Sequence, residues 1–136
     1  MTTNKKIKNL PKHLHVELKQ LQARGIYDWL SLKELKETEL FALSQNSHAT
    51  TRNLKFLRGM ANLICQINLS ESEAALLLHA GIGSVAILKS LTPSQLVHKV
   101  GRLERQLNLN RKPYVDLKIA KNWIKSAERA NSELTQ

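Results

Sequence analysis

The chain has 136 residues, 42% hydrophobic and only 4% aromatic, with one cysteine, three prolines and five glycines. That length supports one domain or two very small halves sharing a core; a lone cysteine excludes an internal disulfide, and no apolar run approaches the roughly 20 residues of a membrane span. Twenty-one Lys and Arg against eleven Asp and Glu give a formal charge of +10, a field that gathers polyanions and makes nucleic acid the first partner to consider.

The excess is not a charged tail, since residues 1–68 carry 11 basic and 5 acidic side chains and residues 69–136 carry 10 and 6. Abundant leucine with few glycines and prolines predicts an all-α fold. Residues 1–9 read as a flexible N-terminus without the apolar stretch of an export signal, so a cytoplasmic location is expected. Pro11 suits a first helical position, and Leu14, Leu18 and Leu21 recur at helical spacing until Gly25 stops the helix. Short helices follow in YDWLSLKEL and ETELFALSQ, then the polar loop QNSHATT. Thr50 or Thr51 offers an N-cap for a helix lined by Leu54, Leu57, Ala61 and Ile64. Cys65, inside the apolar run ANLICQI, reads as a small buried residue. Ser70 and Glu73 have the spacing of a capping box, and the helix they begin stops at Gly81. Thr92-Pro93 starts a helix running to about Leu107. Pro113 is expected to start the last one, ending near Ala130, with residues 132–136 frayed.

The two halves of the chain resemble each other. With an offset of 56, LQARGIYDWLSLKELKETEL (Leu21–Leu40) lies over LLHAGIGSVAILKSLTPSQL (Leu77–Leu96). Gly25-Ile26 meets Gly81-Ile82, and Leu32, Lys33, Leu35 and Leu40 meet Leu88, Lys89, Leu91 and Leu96. Tyr27 falls on Gly83. Further along the offset becomes 63, and Leu54-Lys55 meets Leu117-Lys118. An internal repeat predicts two pseudo-symmetric halves, residues 10–68 and 69–131, packed around one core.

The pattern from Ala80 to Leu96, AGIGSVAILKSLTPSQL, resembles a helix-hairpin-helix unit of the kind found in the C-terminal domain of the bacterial RNA polymerase alpha subunit. Over about residues 14–130, including the NWIKSAERA ending, the chain resembles the domain of unknown function 4332 family, which is similar to tandem helix-hairpin-helix proteins. The resemblance implies a loop whose backbone N–H groups, with the start of the next helix, face a DNA phosphate. Carried onto this sequence, that role falls to Gly81, Gly83 and Ser84, with Ile82 a core peg beneath the turn. Gly83 would let the backbone approach closely, and Ser84 would cap the short helix or donate its hydroxyl. In the first half Tyr27 replaces the second glycine, so Arg24 and the Tyr27 hydroxyl would have to stand in. A glycine at a helix C-terminus also needs no ligand to explain it.

The last helix points the same way independently. At about 100° per residue, Leu117, Ile119, Ala120, Trp123, Ile124 and Ala127 fill one face, while Lys118, Lys121, Lys125 and Arg129 share another sector. Arg102, Arg105, Arg111 and Lys112 extend the positive region. Such a stripe suits a phosphate backbone, although charge on a helix is also what an ordinary solvated face looks like. His13 and His15 point to different helix faces and the other histidines are scattered, so no metal site is expected. No Ser/His/Asp arrangement stands out, and Gly-Ile-Gly lacks the strand and third glycine of a dinucleotide site and the lysine of a P-loop. Neither a cofactor nor enzymatic activity is expected. Trp29 and Trp123 read as core. The sequence thus predicts non-catalytic binding of nucleic acid, duplex DNA through its phosphates, with a helical adaptor for an acidic protein partner as the alternative. An adaptor requires an exposed apolar patch.

Overall fold

Capping residues and glycine turns divide the described residues into a 3-10 turn at Lys12–Leu14 and eight α-helices: α1 His15–Ala23, α2 Trp29–Lys33, α3 Glu37–Ser44, α4 Thr51–Ile67, α5 Glu71–His79, α6 Val85–Ser90, α7 Pro93–Gln106 and α8 Leu117–Leu134. The structure, a computed structural model, describes residues 5–8, 10–45, 47–106 and 114–134, with side chains through Ala130. The described residues contain no β-strand, only an isolated bridge between Lys6 and Asp28. The fold is all-α and divides into two compact units, Met1–Glu71 and Ser72–Gln136.

In the first unit α2 and α3 pack on α4. Leu21, Trp29, Leu32, Leu40, Leu54, Leu57, Ala61 and Leu63 are sealed from solvent in its interior. The end of α1 is set by Gly25, whose φ of 79° lets its N–H reach Gln22 O (2.9 Å) while Ile26 N–H reaches Leu21 O (3.0 Å). This is the paired hydrogen bonding of a Schellman motif. Each following helix starts on a side-chain acceptor. Asp28 Oδ1 accepts Ser31 N–H at 2.8 Å, the Glu39 carboxylate accepts Lys36 N–H at 3.0 Å, and Thr50 rather than Thr51 caps α4 by accepting Asn53 N–H at 3.1 Å. Asn68, in the left-handed region at φ 56° and ψ 46°, ends α4.

Two expectations for this unit are corrected. Residues 5–8 are not a loose end: Trp29 N–H donates to Lys5 O (2.9 Å), Ile7 N–H to Tyr27 O (3.0 Å) and Lys8 N–H to Glu71 Oε2 (2.9 Å). The same Glu71 oxygen accepts the Trp29 indole N–H at 2.9 Å, because a fully buried indole needs an acceptor. Residues 1–4 and 9 lie outside the described residues. Cys65 is half-buried rather than buried, and its partial burial still pushes the thiol pKa up.

In the second unit α6 and α7 pack on α8. Ala74, Leu77, Ile82, Leu88, Leu96, Val100, Val115, Ala120 and Ala127 form its buried apolar interior. Gly81, at φ 88°, ends α5 with its N–H on Leu78 O (3.0 Å), and Ile82 N–H donates to Leu77 O (2.8 Å). Ser84 Oγ caps α6 by accepting Ile87 N–H at 3.1 Å. Thr92 and Gln95 exchange side-chain and backbone bonds at 2.9 and 3.1 Å around Pro93, the first residue of α7. The last helix does not begin at Pro113. Tyr114 N–H donates to Glu104 Oε2, and Asp116 Oδ1 accepts Ile119 N–H, each at 2.9 Å, so the helical bonding starts at Leu117. It continues to Leu134, past the expected end near Ala130. Leu107, Pro113 and residues 135–136 lie outside the described residues.

A Cβ built at Gly25 or Gly81 meets nothing within 4 Å, so substitution there acts only through the left-handed backbone. Gly25→Ala and Gly81→Ala are each expected to destabilise by about 1–2 kcal/mol, seen as a lower urea midpoint by circular dichroism, with the asparagine variants less affected. Alanine variants that unfold at the parental midpoint would contradict these turn conformations.

Candidate nucleic-acid interface

The amphipathic pattern of α8 resolves into two faces. Ala120, Trp123, Ile124, Ala127 and Ala130 are buried, whereas Lys118, Lys121, Lys125 and Arg129 are exposed. Their spacing of three, four and four residues confines the cations to a sector of roughly 80°. None of the four forms an ion pair among the described residues. The basic residues that do are Lys55 and Arg58 of α4, both on Glu37 of α3, at 4.0 and 3.2 Å. Arg102 and Arg105 are exposed on α7, the helix that packs on α8.

Three carboxylates of this unit are directed into its framework, while Glu128 is exposed on α8 beside the basic sector. Glu104 is buried and accepts Tyr114 N–H. Glu73 Oε2 accepts the Tyr114 phenol O–H at 2.7 Å, and Asp116 caps α8. In the first unit Glu17, also buried, accepts Thr50 N–H through Oε2 at 2.9 Å, while Asp28, Glu39 and Glu71 hold the backbone and indole groups described above. Among the described residues, each of the two buried glutamates keeps its other oxygen, Oε1, without a hydrogen-bond partner. Periodicity and motif spacing gave these roles no signal. The one available clue was that Glu17 and Glu73 are related by the same offset as the turn glycines Gly25 and Gly81.

The Gly-Ile-Gly turn is narrower as a phosphate cradle than its sequence implies. The N–H groups of Gly81 and Ile82 are engaged by Leu78 O and Leu77 O. Those of Gly83 and Ser84 have no acceptor among the described residues. Gly83 has an ordinary backbone, and a Cβ there would lie 3.2 Å from Leu78 Cδ2. Packing against Leu78 therefore accounts for this glycine without a ligand, and a bulky residue at position 83 disturbs Leu78 before it meets any phosphate. Ser84 Oγ is used as an acceptor in the cap and keeps its hydroxyl proton for a further bond. Arg24 is exposed and belongs to the first unit. Arg111 and Lys112 lie outside the described residues.

Among the described residues no cluster of His, Cys, Asp and Glu is able to hold a metal ion, and no helix is long and apolar enough to cross a membrane. Fold and surface together define an all-helical protein of two units, the second carrying on its longest helix a basic face that forms no ion pair among the described residues. The chain belongs to the family described as Domain of unknown function (DUF4332), whose pattern matches residues 11–130. No curated protein and no solved structure matches it.

The hydrogen bond to Glu73, reinforced by the negative charge of that carboxylate and by slight desolvation, raises the Tyr114 phenol pKa above its usual value of 10.0. Glu73→Ala is expected to lower one of the two tyrosine titrations followed at the phenolate absorbance band, with the helical circular dichroism retained. A titration curve identical to the parent's contradicts the pairing.

Proposed function

We propose that this chain is a non-catalytic nucleic-acid-binding protein that holds duplex DNA through its phosphates, with Lys118, Lys121, Lys125 and Arg129 as the principal contacts. The observation that carries this reading is the division of charge: Glu73, Glu104 and Asp116 are engaged in the framework of the second unit, while four basic side chains of α8 stand exposed beside a single exposed acid, Glu128, and form no ion pair among the described residues. Such an arrangement leaves a surface far more positive than a mixture of paired charges would, and neutralising phosphates there releases counterions. Arg102 and Arg105 add to the field, and the free Gly83 and Ser84 amides with the Ser84 hydroxyl are the donors the turn still has to offer.

We further propose that the two units are copies of one helix-hairpin-helix-like motif. Supporting this, each has a left-handed glycine, an isoleucine after it whose N–H closes onto a leucine carbonyl, and a side-chain cap two residues beyond that isoleucine. In each, two short-to-medium helices pack on a long one. Glu17 and Glu73 both reach the segment that precedes the long helix of their unit. The copies differ where binding is assigned. In the first unit Glu37 neutralises Lys55 and Arg58, whereas Pro93 takes the place of Glu37 in the second. Asn62 and Gln66 of the first unit occupy the positions that Lys125 and Arg129 hold in the second. Binding therefore belongs to the second unit, and the first serves as its structural counterpart.

The adaptor reading keeps one observation in its favour: Phe41 and Tyr27 of the first unit are 58% and 54% exposed. Random-sequence duplex DNA titrated at two salt concentrations separates the two. Phosphate binding predicts a steep salt dependence, and Lys118→Ala, Lys121→Ala and Lys125→Ala together should lower the slope of log K against log salt by about three units, roughly 0.9 per phosphate. Phe41→Glu should leave DNA affinity nearly unchanged. Absence of DNA binding, or binding indifferent to salt, favours the adaptor.

A further inference from the structure

Tyr114 is an exposed aromatic residue held at two points, its backbone and its phenol. Its N–H is fixed by Glu104, its phenol O–H by Glu73, and Val115 beside it is buried. Even so, 49% of its surface remains accessible, and Leu117, the first residue of α8, is 50% exposed. On the helix Leu117 lies about 40° from Lys121 and so borders the basic sector. Two apolar surfaces thus stand at the head of the cationic stripe.

Holding the ring at its backbone and its phenol restricts its rotamers before any ligand arrives, which reduces the ordering cost of binding. Of the neighbouring acids, Glu73 sits at the phenol edge as an acceptor, away from the ring face, and Asp116 is engaged with Ile119 N–H. The adjacent cations select a polyanion, and the ring selects a planar π-system; a nucleobase on a phosphate chain supplies both. Bases inside a duplex are stacked on one another and offer no face, so the partner must be unpaired.

We propose that Tyr114 stacks an unpaired nucleobase while Lys118, Lys121, Lys125 and Arg129 hold neighbouring phosphates, so that the preferred ligand is duplex DNA carrying a single-stranded extension. This rests on the nucleic-acid reading above and narrows its substrate class. Fluorescence anisotropy with the full chain tests it, comparing a blunt duplex with the same duplex extended by about six unpaired nucleotides, within the range of single-strand site sizes. The parent is expected to bind the extended duplex about 5- to 100-fold more tightly, the range that stacking on an aromatic side chain supplies. Tyr114→Phe keeps the ring and should keep that preference. Tyr114→Ala should abolish it while leaving blunt-duplex affinity unchanged. A parent that binds both duplexes equally, or a Tyr114→Ala variant that retains the preference, overturns the proposal and leaves the phosphate reading standing. Failure to bind any DNA overturns both. Should Tyr114→Ala not fold, photo-crosslinking the parent to an iodouracil-bearing extension decides the matter: a crosslink at Tyr114 is expected, and crosslinking confined to other residues overturns the assignment.

Discussion

The structure depends on how backbone N–H groups at helix starts find acceptors. Every α-helix begins with four such groups that its own bonding cannot satisfy, and a chain cut into eight short and medium helices meets that demand repeatedly. Asp28, Thr50, Ser84, Thr92 and Asp116 answer it locally, each within three residues of the N–H it accepts. Glu17 and Glu104 serve the segments leading into α4 and α8 from a distance, at sequence separations of 33 and 10. Acids used in this way are not available to neutralise lysines, so the chemistry that organises the helices also shapes the surface charge.

The two buried glutamates show the strength of that demand. Removing a carboxylate from water is unfavourable, and among the described residues each leaves one oxygen unsatisfied. What compensates is a charge-assisted bond to a backbone N–H, roughly twice as strong as its neutral equivalent. For Glu17 that N–H belongs to Thr50, the cap of α4, where the positive end of the helix dipole adds to the attraction. For Glu104 it belongs to Tyr114, which fixes the approach to α8 and with it the placement of the exposed ring.

How much of this was legible in the sequence follows the range of the interactions involved. Gly25, Gly81, Ser84 and Thr92-Pro93 were readable because a helix end is written in a few neighbouring positions, and the division of α8 into apolar and basic faces followed from periodicity alone. Pro113 misled for a related reason: proline tolerates a helix start without requiring one, whereas Asp116 supplies the acceptor that makes one. The pairing of residues 5–8 with residues 27–29 and with Glu71 joins segments far apart in the chain and leaves no periodic trace. Tyr114 was invisible as a candidate for the same reason, since its phenol is held by Glu73, a residue on a different helix and remote in sequence. From sequence, Gly83 suits a position for close backbone approach. Its explanation in the fold is a neighbouring leucine, a contact that no spacing rule could supply.

Glu71 gives the molecule an internal optical gauge. A single carboxylate oxygen receives both the Trp29 indole N–H and the Lys8 backbone N–H. Detachment of the N-terminal segment therefore changes the electrostatic surroundings of a chromophore that is sealed from solvent while the segment is docked. Loss of the bond partners that the segment holds in place alters tryptophan emission by a route separate from the red shift that melting of the core produces. Undocking of the segment and melting of the unit thus carry different spectral signatures.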